Sequence, residues 1–280
     1  MLKKIIKGVQ NRLARYRTYY KYKNILGHNL ELKDKFKGKR CFIIASGPSV
    51  KDQDLLRLVD EETFIVNTFW RHPLYDRLKA KNYVDLDPGP PNQKSFFYRE
   101  ELVQREKDLR LKHSRFFFHL TGFYEYFKKL NVFSADNAYY IHSDGFFKGN
   151  LAFNTDITKT VPQVKNVIIG CILIAVYMGF EEIYLLGCEH SFLAYRQFEE
   201  AHFFKETAYT NSKDQQERMR YGMIDKSYEG VIDQAKVLFQ NYRLLNAKLS
   251  KTHPQVKIYN ATPNSFLDVF PFVKYEDIKI

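Results

Sequence analysis

The chain has 280 residues, of which 45% are hydrophobic and 27% charged, and its formal net charge is +12. This composition is typical of globular proteins and excludes a disordered chain. No run reaches the roughly 18 apolar residues that a transmembrane helix needs, and no signal-peptide pattern is present. Cys41, Cys171 and Cys188 lack metal-type spacing, so we expect buried, reduced thiols in a cytoplasmic protein.

The first 24 residues contain eight Lys and Arg side chains and no acidic one. Apolar residues recur there at helical spacing, which predicts a basic amphipathic arm over residues 1–30 that binds an anionic membrane surface. Nucleic acid is the other generic partner of a basic arm. No zinc finger, helix-turn-helix or aromatic RNA-binding signature follows, so we expect no nucleic-acid partner. A merely solvated helix remains an alternative.

Strand-like and helix-like segments then alternate along the chain. Strands are predicted at 41–45, 64–69, 83–88, 116–118, 182–187 and 256–260, and helices at 96–111, 123–130, 166–178 and 228–251. Residues 134–160 are rich in turn-forming side chains and are predicted to be irregular. This order favours an α/β fold with a mostly parallel, doubly wound sheet. We predict one domain over residues 31–280, with an inserted lid at about 194–221.

The turn Ser46-Gly47-Pro48-Ser49 follows the first predicted strand. A helix beginning near Val50 would aim backbone N–H groups and its positive dipole end at one point, which suits a phosphate. In this interpretation Gly47 permits close approach of a ligand, Pro48 pre-sets the first helical turn, and Ser49 caps it or donates a hydroxyl. An ordinary capped strand–helix turn is the alternative.

Other predicted strand ends also carry polar side chains, and ligands of doubly wound sheets bind at that edge. These side chains are Asn67, Thr68, Asp85, Asp87, Glu189, His190, Asn260, Thr262 and Ser265. Their mixture of donors and acceptors suits a nucleotide with its ribose and phosphates.

Two histidines are candidates for a general base, because an imidazole near carboxylates titrates close to neutrality. His190 follows Glu189 at a predicted strand end, and His202 lies in the predicted lid beside two glutamates. Both histidines would also suit a metal with Glu189 or Asp87, but no compact His-x-x-x-His pair is present. We therefore predict catalytic roles for His202, His190 and Glu189, with no metal site and no cofactor. The absence of a Gly-x-Ser-x-Gly elbow and of a Walker lysine argues against hydrolase and P-loop functions.

Several of these motifs resemble bacterial CMP-sialic-acid-dependent sialyltransferases. They are the turn at 46–49, Asn67 at a strand end, the segment 179–187 and residues 259–267. The segments 85–88 and 189–203 are closer to a broader group. That group holds flagellin nonulosonate transferases and 6-hydroxymethylpterin diphosphokinase-like (MptE-like) proteins. The resemblance covers scattered blocks over residues 40–270.

The resemblance implies a Rossmann-like, GT-A-variant domain with a lid, and metal-independent, inverting transfer from a CMP-activated donor. The donor sugar would be sialic-acid-like (nonulosonate or Kdo-type), and the acceptor a bacterial surface glycan or a lipid-linked one. The enzyme would then act at the inner face of the membrane. By the resemblance, Ser46, Gly47 and Ser49 would contact the donor phosphate and ribose, and Asn67 the nucleotide.

The sequence departs from the sialyltransferase pattern at four positions. Ser46 stands where the family has Asn, Val164 and Val167 replace an Arg and a Ser, and Ser191 replaces a Tyr. Lys165 and Asn166 are therefore expected to take over the contact with the donor's anion.

Two alternatives stay open on sequence grounds. One is a diphosphokinase of the pterin type that uses ATP and Mg²⁺, held by Asp85, Asp87 and Glu189, since hard cations prefer carboxylate oxygens. The other is a non-catalytic module that binds nucleotides or nucleic acid and would show steep salt dependence on a polynucleotide.

Overall fold

The computed structural model describes residues 2–86, 102–133, 137–144, 154–163, 165–194, 203 and 228–280, with only the backbone for 2–12, Arg15 and Phe192. Within these ranges, seven strands form one sheet in which every strand pairing is parallel. They are β1 (Arg40–Ile44), β2 (Thr63–Val66), β3 (Asn82–Asp85), β4 (Arg115–His119), β5 (Ala138–Ile141), β6 (Glu182–Leu186) and β7 (Lys257–Asn260). The predicted α/β fold with a doubly wound parallel sheet is confirmed.

The strand order is β5-β4-β3-β2-β1-β6-β7. The chain therefore builds outward from β1 on one side and resumes at β6 on the other. Ligands of doubly wound sheets bind at the carboxyl ends of the strands where the order reverses. Here that switch point lies between β1 and β6.

Helices and short 3₁₀ segments cover the two faces of the sheet. The helices are α1 (Leu2–Gly27), α2 (Tyr75–Leu78), α3 (Glu106–Lys112), α4 (Leu120–Leu130), α5 (Val167–Tyr177) and α6 (Tyr228–Thr252). None of the helices in the described ranges combines the length and apolar character that crossing a bilayer requires.

Alternate side chains of each strand enter two separate cores. On one face, Ile43 and Leu185 pack with α5 and α6. On the other face, Phe42 and Phe118 pack with α2 and α4 and with the C-terminal Tyr275. Because both faces are covered, the strands are apolar almost throughout, as parallel strands generally are. The three cysteines are buried and unpaired, as expected.

The structure corrects the prediction of an α-helix after the Ser46–Ser49 turn. Two 3₁₀ segments, Pro48–Lys51 and Leu55–Leu58, occupy this stretch instead. The Asp54 side chain accepts a hydrogen bond from the Leu56 N–H at 3.2 Å and so starts the second segment afresh. A side chain that bonds to nearby backbone competes with helix propagation in this way. The turn therefore lacks a long helix whose dipole would favour a phosphate.

A second correction concerns β5, which lies inside the stretch predicted to be irregular. Its four residues, Ala-Tyr-Tyr-Ile, are buried and pair with β4. The strand is too short to be recognised between turn-forming residues on both sides. Its pairing with β4 supplies the hydrogen bonds that stabilise it.

Other predicted elements agree with the structure to within a few residues. The apolar helix starts at Val167 and not at 166, the third strand ends at Asp85 and not at 88, and the long C-terminal helix is present as α6. The predicted helix over 96–111 is confirmed in its described part, where residues 102–104 and α3 are helical with one turn residue between them. Most of the predicted lid lies outside the described residues.

Candidate functional site at the switch point

The turn after β1 and the loop after β6 run side by side at the carboxyl edge of the sheet. The Ala45 N–H donates to the Leu186 carbonyl at 2.8 Å, and the Gly47 N–H donates to the Gly187 carbonyl at 3.0 Å. Gly187 has φ +65°, and a Cβ there would lie 2.8 Å from the Ala45 carbonyl oxygen. Glycine at 187 thus allows the two segments to approach closely.

A buried carboxylate occupies the centre of this junction. Glu189 is only 7% exposed, and its Oε1 accepts a hydrogen bond from the Ser49 N–H at 2.6 Å. The other carboxylate oxygen, Oε2, is buried without a hydrogen-bond partner, and so is Ser49 Oγ. Buried polar atoms are normally paired, so these two exceptions mark the switch point as a place where a ligand group could complete the hydrogen bonding.

The role of Gly47 differs from the one we predicted. A Cβ at this position would lie 1.6 Å from Glu189 Oε2 and 2.4 Å from the Gly187 carbonyl oxygen. Its φ of −67° is open to any residue. Glycine is therefore required here because Glu189 and the Gly187 carbonyl fill the space beside its Cα.

Asn260 at the end of β7 and two polar side chains after it hold the β6 loop in place. Thr262 Oγ1 accepts from the Cys188 N–H at 3.0 Å and donates to the Leu185 carbonyl at 3.2 Å. Ser265 Oγ donates to the Cys188 carbonyl at 2.6 Å and accepts from Asn260 Nδ2 at 3.0 Å. The structure thus engages the predicted nucleotide ligands Thr262 and Ser265 in supporting the backbone of Cys188 and its neighbours.

His190 lies behind Glu189 with both ring nitrogens engaged. Nδ1 is 3.1 Å from the Cys188 carbonyl and Nε2 is 3.0 Å from the Tyr242 hydroxyl. Since a carbonyl only accepts, Nδ1 carries the proton and the hydroxyl donates to Nε2. Burial lowers the pKa of His190 to about 4. The imidazole is therefore neutral, and it would serve as a base only after Nε2 left Tyr242.

One described residue of the predicted lid reaches the site. The Phe203 N–H donates to the Ser46 carbonyl at 2.9 Å, and its ring packs edge-on against Phe69 and His72. The candidate base His202, which precedes it in sequence, lies outside the described residues. The candidate ligand Asp87 also lies outside them.

Asn67 stands at the end of β2 in the left-handed conformation, with φ +49°. Its N–H donates to the Val84 carbonyl at 3.1 Å, and its own carbonyl accepts from the Tyr83 hydroxyl at 2.8 Å. These backbone hydrogen bonds fix the strand end. They place the half-buried Asn67 side chain at the same sheet edge as Ser46.

The predicted anion contacts at the start of α5 have different surroundings. Asn166 is the N-cap of α5, and its side-chain oxygen accepts from the Ile168 N–H at 2.7 Å. An N-cap oxygen satisfies one of the open donors of a helix terminus. Lys165 is exposed beside it.

Sequence reasoning missed a polar cluster at the ends of β4 and β5. His119 Nε2 is 3.0 Å from Ser143 Oγ, its Nδ1 is 3.1 Å from Thr121 Oγ1, and His142 Nδ1 is 2.8 Å from Thr160 Oγ1. The signal was the pattern of apolar residues at 138–141 followed directly by His-Ser. It was overlooked because β5 itself was not predicted.

Of the three carboxylates that would hold Mg²⁺ in the diphosphokinase alternative, the structure describes two. Asp85 is fully buried at the end of β3, and Glu189 is bonded to Ser49. Across the described ranges, no three His, Cys, Asp or Glu side chains converge as metal ligands. Because Asp87 is outside those ranges, the three-carboxylate site stays a hypothesis.

Comparison with known proteins identifies a similar fold. No family model matches the chain, and no curated protein is significantly similar to it. The structure is similar to the MAf glycosyltransferase of Magnetospirillum magneticum AMB-1, with a TM-score of 0.53 and 13% identity. This similarity shows that the chain shares the fold of that enzyme over the matched part. The match covers 91% of this chain and 39% of that one, so the chain spans about two-fifths of the larger enzyme.

Proposed function

We propose that the protein is a glycosyltransferase that binds a nucleotide-activated sugar at the β1–β6 switch point. The observation that carries the proposal is the buried Glu189 carboxylate, whose Oε2 lacks a partner beside the unpaired Ser49 Oγ. These atoms lie where doubly wound sheets bind nucleotides, in a fold similar to that of a glycosyltransferase.

Glu189 determines which part of the donor suits this junction. The Ser49 N–H is already bonded to a carboxylate, and like charges repel, so a phosphate is disfavoured here. Ribose hydroxyls or a base amino group can instead donate to Glu189 Oε2 and bond with Ser49 Oγ. We therefore place the nucleoside at the Ser46–Ser49 turn and the phosphate nearer Lys165. We retain CMP as the nucleotide and a nonulosonate or Kdo-type sugar as the cargo, on the resemblance to sialyltransferases.

The transfer needs a base and a leaving group. The base takes the proton of an acceptor hydroxyl as its oxygen attacks the anomeric carbon, while the bond from that carbon to the phosphate oxygen breaks and CMP departs with the electron pair. We favour His202 as the base over His190. The residue after His202, Phe203, is bonded to Ser46, whereas both nitrogens of His190 are engaged.

Thermal unfolding with CMP, CDP, UDP, GDP and ATP, each with Mg²⁺ and with EDTA, tests the donor class. A ligand at about 100 times its Kd adds roughly 2.7 kcal/mol to stability, which raises Tm visibly. We expect CMP to stabilise the protein whether or not metal is present. Stabilisation by ATP with Mg²⁺ alone would instead support the diphosphokinase.

The variant Glu189→Gln tests the placement of the nucleoside. An amide oxygen can still accept from Ser49, but the second position becomes an NH₂ donor that cannot accept from a hydroxyl. We expect the CMP-induced rise in Tm to fall while the Tm of the free protein changes little. An unchanged response to CMP would remove the nucleoside from Glu189.

We also propose that α1 holds the enzyme on an anionic membrane. Leu13, Tyr16 and Tyr20 recur at helical spacing and are 52%, 57% and 66% exposed. The end of α1 is attached to the domain, because Tyr22 donates to Glu125 at 2.6 Å and Leu26 is buried. A cationic helix with exposed aromatic side chains suits the interface of an anionic bilayer.

Sedimentation with phosphatidylglycerol vesicles tests this attachment, with phosphatidylcholine vesicles as the neutral reference. We expect binding to the anionic vesicles and a marked loss in Tyr16→Ser/Tyr20→Ser. Leu111→Ser is the control, since Leu111 is 88% exposed on α3. Equal sedimentation of the wild type with the two kinds of vesicle would contradict the proposal. So would equal sedimentation of Tyr16→Ser/Tyr20→Ser and Leu111→Ser with phosphatidylglycerol vesicles.

A further inference from the structure

A cleft of about 830 Å³ lies between α6 and the loop that follows β7. Its lining includes Lys236, Phe239, Arg243 and Asn246 from one side of α6, and Phe266 and Asp268 from the loop. Ligand sites for small molecules typically have volumes of 300–1,000 Å³. The volume of the cleft falls within this range.

The two cations of the cleft are unpaired within the part of the chain that the structure describes. Lys236 and Arg243 are exposed and form no ion pair or hydrogen bond with another described residue. They are seven residues apart on α6, which separates them by about 10 Å along the helix axis. Asp268 lines the same cleft without pairing with either. An anionic ligand would find two separate cationic contacts here.

Aromatic rings provide the apolar part of the lining. Phe239 is half-buried between the two cations, and Phe266 is 53% exposed at the other wall. A sugar ring has an apolar face of C–H groups that packs on such rings, and hydroxyls that bond to amide and carboxylate side chains. Asn246 and Asp268 supply those groups. Phenylalanine walls with amide, carboxylate and cationic side chains suit an anionic carbohydrate.

The cleft is structurally joined to the switch point. The Phe266 N–H donates to the Glu189 carbonyl at 2.8 Å. The ring of His190 lies between the cleft and the switch point, and its centroid is 6.1 Å from the ring centroid of Phe239. One loop thus carries both a wall of the cleft and the support of the switch point.

We propose that this cleft is the acceptor site and binds an anionic glycan, with Lys236 and Arg243 contacting its carboxylate or phosphate groups. The proposal rests on the glycosyltransferase function, because it assigns the second substrate of that reaction. The charged groups of the glycan lie along α6, and an uncharged sugar ring lies on Phe266.

A glycan array followed by calorimetry tests the cleft without requiring turnover. The array holds sialylated, sulfated and phosphorylated oligosaccharides beside their neutral counterparts, with 3′-sialyllactose and lactose as the pair for titration. We expect wild type to bind members of the anionic set and not their neutral partners. Lys236→Gln/Arg243→Gln should weaken that binding at least tenfold.

The control is Lys248→Gln/Lys251→Gln, which removes the same charge from the same helix outside the cleft. It should bind the glycans like wild type, and unchanged thermal unfolding of both double variants shows that they fold. Absence of binding to every anionic glycan, or equal weakening in the two double variants, would overturn the proposal. So would equal retention of heparin and a polynucleotide by wild type, because that indicates charge alone.

The outcome is separable from the donor experiment. CMP should raise Tm equally in wild type and in Lys236→Gln/Arg243→Gln, because neither side chain lies at the switch point. A protein that responds to CMP without cleft-dependent glycan binding keeps the proposed function and loses the acceptor site. A protein that binds anionic glycans through the cleft without responding to CMP loses the donor assignment alone.

Discussion

The switch point and the cleft beside α6 use their polar side chains in opposite ways. At the switch point, Glu189, Thr262 and Ser265 bond chiefly to backbone groups of neighbouring loops. In the cleft, Lys236 and Arg243 bond to no other described residue. Polar side chains thus stabilise the fold in one region and remain available for a ligand in the other. Glu189 Oε2 and Ser49 Oγ at the switch point resemble the cleft in this respect.

At the switch point, the substitution with the largest expected effect on stability is Gly47→Ala. The added Cβ would meet a carboxylate oxygen at 1.6 Å and a backbone carbonyl at 2.4 Å, so the loops must separate. We expect a loss of more than about 3 kcal/mol in the free energy of unfolding, measured by urea denaturation. Gly47→Ala/Glu189→Ala should recover only part of it, because the Gly187 carbonyl remains. A Gly47→Ala protein of wild-type stability would show that Glu189 does not fill this space.

Glu189→Ala is expected to have the next largest effect. It leaves the Ser49 N–H without its partner in a buried position, which costs about 1–3 kcal/mol. Urea denaturation checks the value, and Glu189→Gln provides the comparison because its oxygen restores the bond. Equal losses in both variants would assign the stabilisation to the charge and not to the hydrogen bond.

Acid should lower the stability of the protein through His190, which lies beside Glu189 at the switch point. Its pKa is about 4 in the folded protein and about 6.5 when exposed, so between these values the unfolded chain binds more protons. Stability therefore falls as pH decreases from about 6.5 to 4, by roughly 2–3 kcal/mol for this residue.

Urea midpoints at several pH values measure this effect. His190→Gln should show a shallower decline than wild type. His113→Gln should flatten the decline to a similar extent, because burial also lowers the pKa of His113 to about 4 at a position outside the site. An unchanged pH dependence in His190→Gln would contradict a neutral, bonded imidazole.

The smallest expected effect on stability is that of substitutions in the cleft beside α6. Lys236→Gln/Arg243→Gln should change the free energy of unfolding by less than about 0.5 kcal/mol, because exposed side chains without partners contribute little. Urea denaturation at two salt concentrations checks this. A loss of more than 1 kcal/mol would mean that these cations support the fold, and the contrast between the two regions would disappear.

Most of the sheet could be predicted because its strands are buried on both faces and therefore appear as apolar runs. β6 is the clearest example among the strands. The helix α5 was predictable for the same reason, because it is buried and apolar along almost its whole length. β5 was missed, since a four-residue strand among turn-forming neighbours depends on its pairing with β4. The stretch after β1 was wrongly predicted as an α-helix, because spacing of apolar residues does not reveal that Asp54 caps a new segment.

The candidate site was only partly accessible to sequence reasoning. Strand ends predicted which residues lie at the ligand edge, and Glu189 was among them. The sequence could not show that Glu189 fills the space beside Gly47, because this contact joins positions far apart in the chain. The cleft left no sequence motif, since its residues combine one side of α6 with a loop after β7.

The strand order also has a consequence for synthesis on the ribosome. Arg40 in β1 pairs with Glu182 in β6, so β1 keeps one open edge until most of the polypeptide has been translated. During that interval the nascent chain holds five strands with an unpaired, apolar edge strand, which is a site for association with other chains. We expect the chain to depend on chaperones until β6 emerges, and translation stalled before residue 182 to yield aggregates.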